Sequence, residues 1–217
     1  MEREIIITSD GSTTIHIPAW NEQYHSKHGA IQEAYHVFIK HGLEFVAQDQ
    51  LSIMEIGFGT GLNCFITYLE SDKEIDYVGV EAYPVDEKEI KKLNYVSELK
   101  AEKKSEIFNK MHGISWEEKH KIDDKFQLEK RQQFFKDIKD KDAFNLIYFD
   151  AFGARVQPKL WTEEIFSIMF DALKNEGVLV TYAAKGSVRR AMEAVGFTVE
   201  RLPGPPGKRE MLRAIKK

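Results

Sequence analysis

The residues best suited to chemistry in this sequence lie in one glycine-rich stretch, Glu55–Asn63, which reads Glu-Ile-Gly-Phe-Gly-Thr-Gly-Leu-Asn. Its glycines, Gly57, Gly59 and Gly61, occupy every second position and permit positive φ angles and a close approach of the backbone to a ligand. An apolar run precedes the stretch and a helix-like run follows it, so the free N–H groups of a helix start lie behind the glycines. This order predicts a nucleotide-type binding loop. The alternative is a tight strand-to-helix turn that holds no ligand.

Glycine spacing and two carboxylates indicate which ligand the loop fits. A dinucleotide fingerprint, Gly-x-Gly-x-x-Gly, needs a third glycine within the helix, and a P-loop needs Gly-Lys-Ser/Thr; the sequence has neither. Glu55 would repel a pyrophosphate but suits a cation. Glu81 follows Gly61 by 20 residues, at the end of the next predicted strand, where a carboxylate can accept from both ribose hydroxyls. This combination predicts S-adenosylmethionine, whose sulfonium and ammonium groups are positive. For Glu81 the alternative is a solvated strand end.

Asp150 is the candidate catalytic residue. It ends the apolar run Phe144–Asp150, which is typical of a buried parallel strand. Ligands of open α/β sheets bind at the carboxyl ends of such strands. We therefore expect Asp150 to act as a base, or as an acceptor that orients the substrate, beside the transferred group. A carboxylate that only caps the following loop is the alternative.

Strand and helix patterns alternate from Leu51 to the C-terminus, which predicts an α/β fold with a parallel sheet. No helix separates the last two strand patterns, Phe197–Arg201 and Arg209–Ile215, so we expect them to form an antiparallel pair at one edge.

Residues 1–48 are expected to form a small N-terminal extension before that sheet. Asp10-Gly11 lies between two β-branched runs and predicts a hairpin. Apolar residues recur at helical spacing from Ala30 and stop near Gly42, which predicts an amphipathic helix.

Composition favours a soluble globular protein, with 42% hydrophobic and 30% charged residues. No apolar run is long enough to span a bilayer, and the charged N-terminus is unlike a signal peptide. The single cysteine, Cys64, fits a reducing compartment, so we expect a cytoplasmic location. Cys64 is interpreted as core packing. Because the histidines and Cys64 have no metal-ligand spacing, metal catalysis is not expected.

Charge is distributed unevenly along the chain. Nine basic and three acidic residues lie between Lys185 and Lys217, a net +6, whereas the rest of the chain sums to −10. A chain with an acidic body can still bind a polyanion locally at its basic end. The alternative is that these basic residues form only a solvated face.

Several motifs together resemble the tRNA 5-aminomethyl-2-thiouridine methyltransferases over nearly the whole sequence. They are Tyr24-His25-Ser26, Glu33–Phe38, Glu55–Asn63, Phe149–Phe152, Gln157–Thr162, Val188-Arg189-Arg190, Gly196-Phe197 and Gly207–Leu212. The resemblance implies a Rossmann-like class I methyltransferase with a mostly parallel seven-stranded sheet, whose S-adenosylmethionine-binding domain covers residues 49–217. In some bacteria this domain is fused to a flavin-dependent oxidoreductase; we expect the stand-alone form.

The resemblance also implies an activity and a set of site residues. Its reaction is methyl transfer from S-adenosylmethionine to the exocyclic amine on a wobble uridine of tRNA, with Asp150 in the catalytic position. The residues expected to bind the cofactor are Glu55, Gly57, Gly59, Gly61, Asn63, Glu81, Gln133 and Asp150. Among these, Gln133 would replace the aspartate that the family usually places near the adenine.

For the RNA, stacking on aromatic side chains and ion pairs to phosphate are expected. The stacking candidates are Tyr24 and Phe152, whereas Trp161 is interpreted as core. The phosphate candidates are Lys185, Arg189, Arg190, Lys208 and Arg209.

Three other activities stay open on the sequence. An aminopropyltransferase of the spermidine-synthase type also uses a glycine loop, a ribose carboxylate and an aspartate beside an amine. A small-molecule N-methyltransferase would not need the basic C-terminal end. A non-catalytic RNA-binding module would not need Asp150 or Glu81. The oligomeric state is not indicated.

Overall fold

The structure, a computed structural model, describes residues 2–217, and its N-terminal part is a small antiparallel sheet. The strands of this sheet are β1 (Glu4–Ile7), β2 (Thr13–Ile17) and β3 (Glu22–Gln23). The predicted hairpin is confirmed. At its turn Asp10 Oδ1 accepts from Thr8 Oγ1 at 2.7 Å and from Ser12 N at 3.1 Å.

Helix α1 follows this sheet and confirms the predicted helix. It is α-helical over Ala30–Ala34 and π-helical over Tyr35–Leu43. The buried residues Val37 and Phe38 pack it onto the main sheet. Gly42 lies so close to that sheet that a Cβ there would be 3.1 Å from a Val180 methyl group.

The main sheet carries the predicted alternation of strands and helices. Its strands are β4 (Gln50–Ile56), β5 (Glu74–Val80), β6 (Lys119–Lys121), β7 (Phe126–Arg131), β8 (Phe144–Phe149), β9 (Leu173–Thr181), β10 (Thr198–Pro203) and β11 (Glu210–Ile215). The order across the sheet is β10-β11-β9-β8-β4-β5-β7-β6. Strands β7, β5, β4, β8 and β9 are parallel, and β10 and β11 form the predicted antiparallel edge pair.

The main sheet has eight strands instead of the seven expected. The additional strand, β6, pairs antiparallel with β7 at the edge opposite the C-terminal pair. Its three residues, Lys-His-Lys, carry no apolar pattern, so backbone pairing with the free edge of β7 forms it, rather than burial of side chains.

Helices cover both faces of the main sheet and bury two hydrophobic clusters. They are α2 (Leu62–Glu70), α3 (Glu87–Ile90), α4 (Tyr95–Glu98), α5 (Ser105–Gly113), α6 (Glu163–Ala172) and α7 (Gly186–Ala194). Both faces of β8 are covered, since Tyr148 belongs to one cluster and Phe149 to the other. This explains why the sequence of β8 is continuously apolar. Within residues 2–217, every helix is too short or too polar to span a bilayer.

Candidate active site

Three predicted site segments meet at the carboxyl edge of the main sheet. The glycine loop follows β4, Glu81 follows β5, and Asp150 follows β8; β4 lies between the other two strands. The chain leaves β4 toward β5 on one side and later returns to β8 on the other, which is the arrangement in which open α/β sheets bind ligands. A cleft of about 920 Å³ opens at this edge.

Two of the loop glycines line this cleft, and each allows a close contact within the chain. Gly57 has φ = 90°, and a Cβ there would lie 2.7 Å from the backbone oxygen of Asp150. Gly59 has φ = 49°, and a Cβ there would lie 3.0 Å from the Tyr24 ring. The glycines therefore hold the loop against Asp150 and Tyr24. Gly61 caps α2 behind them and is not among the residues that line the cleft.

Asn63 connects two carboxylates at the floor of the cleft. Its amide nitrogen donates to Glu55 Oε1 at 2.8 Å and to Asp150 Oδ2 at 2.9 Å. Tyr77 donates to the other oxygen of Glu55 at 2.8 Å. Asn63 is only 2% exposed, and its Oδ1 accepts no hydrogen bond from any described residue. An acceptor buried without a donor is costly, so this oxygen is suited to a donor that enters the cleft.

Burial changes the acidity of both carboxyl groups. It raises the pKa of Glu55 well above its usual range, and the nearby charge of Asp150 raises it further, against the hydrogen bond from Tyr77. Burial also raises the pKa of Asp150 to about 7, with a further rise from Glu33, whereas Asn63 lowers it. Asp150 can therefore exchange a proton near neutral pH, as a catalytic base must.

Glu81 lies at the opposite end of the cleft floor, in the place that the sequence predicts for a ribose carboxylate. Its oxygens accept from the backbone nitrogens of Gly59, at 3.1 Å, and Tyr83, at 3.0 Å. These two bonds fix the carboxylate while each oxygen keeps a free acceptor position.

Three aromatic rings, here called the aromatic wall (Trp20, Tyr24 and Phe152), form one side of the cleft. The Phe152 ring packs edge-on against Trp20 at 5.5 Å and against Tyr24 at 5.0 Å between centroids. Arg155 joins the two chain segments, because it bonds Glu22 at 2.9 Å and the backbone oxygen of Asn21 at 3.2 Å. The structure thus brings Tyr24 and Phe152, the two stacking candidates from the sequence, into contact at the cleft.

The expected adenine contact, Gln133, does not line the cleft. Its neighbours Phe134, Phe135 and Lys136 do, after the end of β7. The Phe134 ring, half exposed, packs edge-on against Tyr83 at 6.0 Å. The structure therefore offers an aromatic pair at this end of the cleft where the sequence suggests a hydrogen-bonding amide.

The five predicted phosphate contacts fall into two groups. Lys185 and Arg190 are exposed, and α7 places them, with Arg189, after the carboxyl end of β9. Arg209 is exposed on the loop between β10 and β11. Within residues 2–217, Lys185, Arg190 and Arg209 have no ion-pair partner, and Arg189 has only a 3.8 Å contact to Glu193 on its own helix.

Lys208 departs from the phosphate prediction. Its ammonium pairs with the buried Glu33 of α1 and lies 3.8 Å from the centroid of the Tyr182 ring. An ammonium held in this way is directed into the protein rather than toward a phosphate in solution.

Other residues of the cleft were not singled out from the sequence. Among them are Arg3, Trp20, Tyr83, Phe134, Lys136 and Lys159. Two of them could have been found: Trp20 is an aromatic residue in a polar segment near Tyr24, and Lys136 follows the carboxyl end of a predicted strand. The interpretations of Trp161 and Cys64 as core residues are confirmed, since both are buried.

The residues present fit S-adenosylmethionine by their donor and acceptor chemistry. The buried acceptor of Asn63, held in place by the carboxyl group of Glu55, suits an ammonium group at one end of the cleft floor. Glu81 suits ribose hydroxyls at the other end. The Tyr83–Phe134 pair offers apolar faces to a purine.

Comparison with known proteins supports the same ligand. A family model described as S-adenosyl-L-methionine-dependent methyltransferase matches residues 96–217, which is more than half of the chain. The chain is also similar to the tRNA 5-methylaminomethyl-2-thiouridine biosynthesis bifunctional protein MnmC of Cupriavidus metallidurans, with 27% identity over 96% of this chain and 33% of that protein. The protein of that name from Leptospira borgpetersenii is 28% identical over 89% of this chain and 32% of its own length. The chain thus spans about a third of the length of these relatives.

Two solved structures share the fold. MNMC2 from Aquifex aeolicus aligns over the whole chain and 70% of its own, with a TM-score of 0.78 and 22% identity. Spermidine synthase from Thermotoga maritima aligns over 98% of this chain and 72% of its own, with a TM-score of 0.57 and 17% identity. The predicted Rossmann-like methyltransferase fold is confirmed. Together with the family match over residues 96–217, the cleft identifies this chain as a member of the S-adenosyl-L-methionine-dependent methyltransferase family, with S-adenosyl-L-methionine as its cofactor.

Proposed function

We propose that this chain methylates the amine of the aminomethyl group on a tRNA wobble uridine and so forms 5-methylaminomethyl-2-thiouridine. The observation that carries the proposal is the position of Asp150, a half-buried carboxylate between the glycine loop and the aromatic wall. An acidic acceptor beside flat aromatic rings suits an amine carried on a nucleobase. The names of the relatives, which concern tRNA 5-methylaminomethyl-2-thiouridine biosynthesis, support this choice.

The cleft floor would hold the cofactor. Glu81 would accept from the ribose hydroxyls, and the Asn63 oxygen would accept from the ammonium, with Glu55 supporting Asn63 from below. Phe134 and Tyr83 would pack on the adenine in place of Gln133. When bound, the cofactor supplies a methyl group on a sulfonium, whose carbon–sulfur bond breaks as the nitrogen lone pair forms the new carbon–nitrogen bond.

Asp150 would prepare the amine for this transfer. An alkyl amine has a pKa of about 10, so at neutral pH it is mostly an ammonium without a free lone pair. Asp150 can orient the nitrogen by a hydrogen bond and can accept the proton that leaves it. The pKa of about 7 makes proton acceptance possible at neutral pH. Orientation is its first role, because positioning supplies much of the rate of such displacements.

The aromatic wall would receive the uridine. Sequence-specific RNA recognition commonly uses bases that are splayed out of a loop and stacked on aromatic side chains. Tyr24 and Phe152 are the stacking residues that we propose, and Trp20 supports Phe152 from its other side.

Basic residues at the cleft and in the C-terminal part of the chain would bind the tRNA backbone. Lys185, Arg189, Arg190 and Arg209 keep this predicted role, and Lys136 and Lys159 at the cleft itself are added to it. A tRNA substrate agrees with the cytoplasmic location that the single cysteine suggests.

The test is mass spectrometry of nucleosides from tRNA that carries the aminomethyl group, after incubation with the chain and S-adenosylmethionine. We expect a mass gain of one methyl group on the aminomethyl-thiouridine nucleoside, and none with Asp150→Ala. Parallel reactions contain decarboxylated S-adenosylmethionine with a diamine. Aminopropyl transfer in those reactions, with unmodified tRNA in the others, would replace the proposal by the spermidine-synthase alternative.

A further inference from the structure

The ion pair of Glu33, which is buried, and Lys208, which is half-buried, lies behind the candidate active site and has no part in the proposed function. The two residues are 175 positions apart and join α1 to the loop between β10 and β11. The Glu33 side chain is 8% exposed and that of Lys208 31%. Buried charges are costly to retain, so a pair in this position calls for an explanation.

Contacts connect this pair with the segment that carries Asp150. Lys208 Nζ lies 3.8 Å from the centroid of the Tyr182 ring, and the Tyr182 hydroxyl donates to the backbone oxygen of Ala151 at 2.8 Å. Ala151 directly follows Asp150. Glu33 is held from its other side by the backbone nitrogen of Ser26, at 3.2 Å.

We propose that Glu33 and Lys208 are positioning residues, whose contacts with Ser26 and Tyr182 fix one negative and one positive charge next to the segment that carries Asp150, so that both charges act on its carboxylate. The role of Asp150 itself rests on the proposed function, but its titration does not. In this arrangement Lys208 serves the active site from within rather than binding phosphate.

Charged and titratable groups on four elements interact electrostatically with Asp150. They are Glu55 at the end of β4, Glu33 on α1, Lys208 on the loop before β11, and the Tyr182 hydroxyl after β9. Glu33 favours the protonated form of Asp150 and Lys208 favours the carboxylate form. The two charges thus act in opposite directions on one group.

Opposite charges predict opposite effects when each is removed. Glu33→Gln should lower the pKa of Asp150, because the repelling charge is lost. Lys208→Met should raise it, because the attracting charge is lost while Glu33 stays. Each shift should be roughly one pKa unit, and the double variant should return toward the unmodified chain.

The experiment is a carbon-13 NMR titration of the full chain, labelled at the aspartate carboxyl carbons and free of tRNA. Asp150→Asn assigns the Asp150 signal by its disappearance. Arg209→Met is the matched control, because it removes the same charge from the next residue, which is exposed and has no ion-pair partner within residues 2–217; it should leave the Asp150 titration unchanged. Lys208→Arg keeps the charge and should titrate like the unmodified chain.

Shifts of opposite sign in the two single variants would support the proposal, since a loss of packing cannot move one carboxyl group in both directions. An unchanged Asp150 titration in both folded variants would overturn it. If Lys208→Met does not fold, as judged by circular dichroism, Glu33→Gln and Lys208→Arg decide the question. Because no tRNA is present, a failure here is distinct from a failure to methylate tRNA.

Discussion

The side-chain amide of Asn63 donates a hydrogen bond of 2.9 Å to Asp150, so the first turn of α2 holds the carboxylate that directly follows β8. The helix that begins at the glycine loop therefore places the catalytic candidate as well as the cofactor loop. A change at Asn63 should therefore reach the catalytic candidate directly.

Replacement of Asn63 by leucine should weaken S-adenosylmethionine binding and destabilise the fold. It removes the donor shared by the buried Glu55 and the half-buried Asp150, at a cost of about 1–3 kcal/mol. Isothermal titration calorimetry and chemical unfolding would measure the two effects. Asn109→Leu, at an exposed position of α5, is the control and should change neither. Full cofactor affinity in Asn63→Leu would contradict the role that we assign to this amide.

The position of Asn63 in the site was predictable only in part. Glycine spacing and the continuous apolar run of β8 indicate a parallel sheet with a loop at its carboxyl edge, and these signals are local in the sequence. The bond from Asn63 to Asp150 joins residues 87 positions apart. No local pattern encodes such a contact.

The same reasoning explains two predictions that the structure changes. Lys208 counts as a basic surface residue until the fold brings it to Glu33, which only tertiary contact determines. Gln133 follows β7 at the expected distance, but Phe134, the next residue, faces the cleft. Side chains alternate between the two faces of a sheet only within a strand. Beyond the end of β7 the sequence therefore does not show which of two adjacent residues faces the cleft.

Asp150→Ala should keep S-adenosylmethionine binding and lose most of kcat. The variant removes the acceptor that orients the amine and takes its proton, a contribution of about 10²- to 10⁴-fold. Single-turnover methylation of tRNA would measure the loss, and calorimetry with the cofactor alone would serve as the control for binding. Turnover close to that of the unmodified chain would rule out this role for Asp150.

The pH dependence of kcat/KM should show a limb near pH 7. Burial raises the pKa of Asp150 to about 7, and only the carboxylate form can accept a proton from the amine. Activity should therefore rise with pH through this value, because the pH profile of kcat/KM reports the pKa of the free enzyme. At pH 6, one unit below this pKa, kcat/KM should be about tenfold below its plateau. Initial rates at subsaturating tRNA between pH 5 and 9 would test this. A limb near pH 4 would mean that Asp150 titrates like an exposed aspartate.

Phe152→Ala should weaken tRNA binding while leaving cofactor binding intact. Loss of a stacking ring costs about 1–3 kcal/mol per base. The truncation would also remove the ring against which Trp20 and Tyr24 pack. The dissociation constant for tRNA should rise by roughly tenfold or more, as measured by fluorescence anisotropy. Phe45→Ala, which truncates a partly exposed ring that does not line the cleft, is the control. Equal losses in the two variants would indicate a general effect on stability rather than stacking.

The tRNA affinity should fall steeply with salt, and cations near the cleft should account for part of the slope. Each phosphate contact contributes close to one unit to the slope of log K against log salt concentration. Lys136→Gln and Lys159→Gln should each reduce that slope by about one, since both residues are exposed and line the cleft. Lys125→Gln is the matched control, because Lys125 is exposed and lies just before the first residue of β7, at the end of the strand opposite the cleft. An unchanged slope in both cleft variants would place the RNA contact surface outside the cleft, at Lys185, Arg189, Arg190 and Arg209.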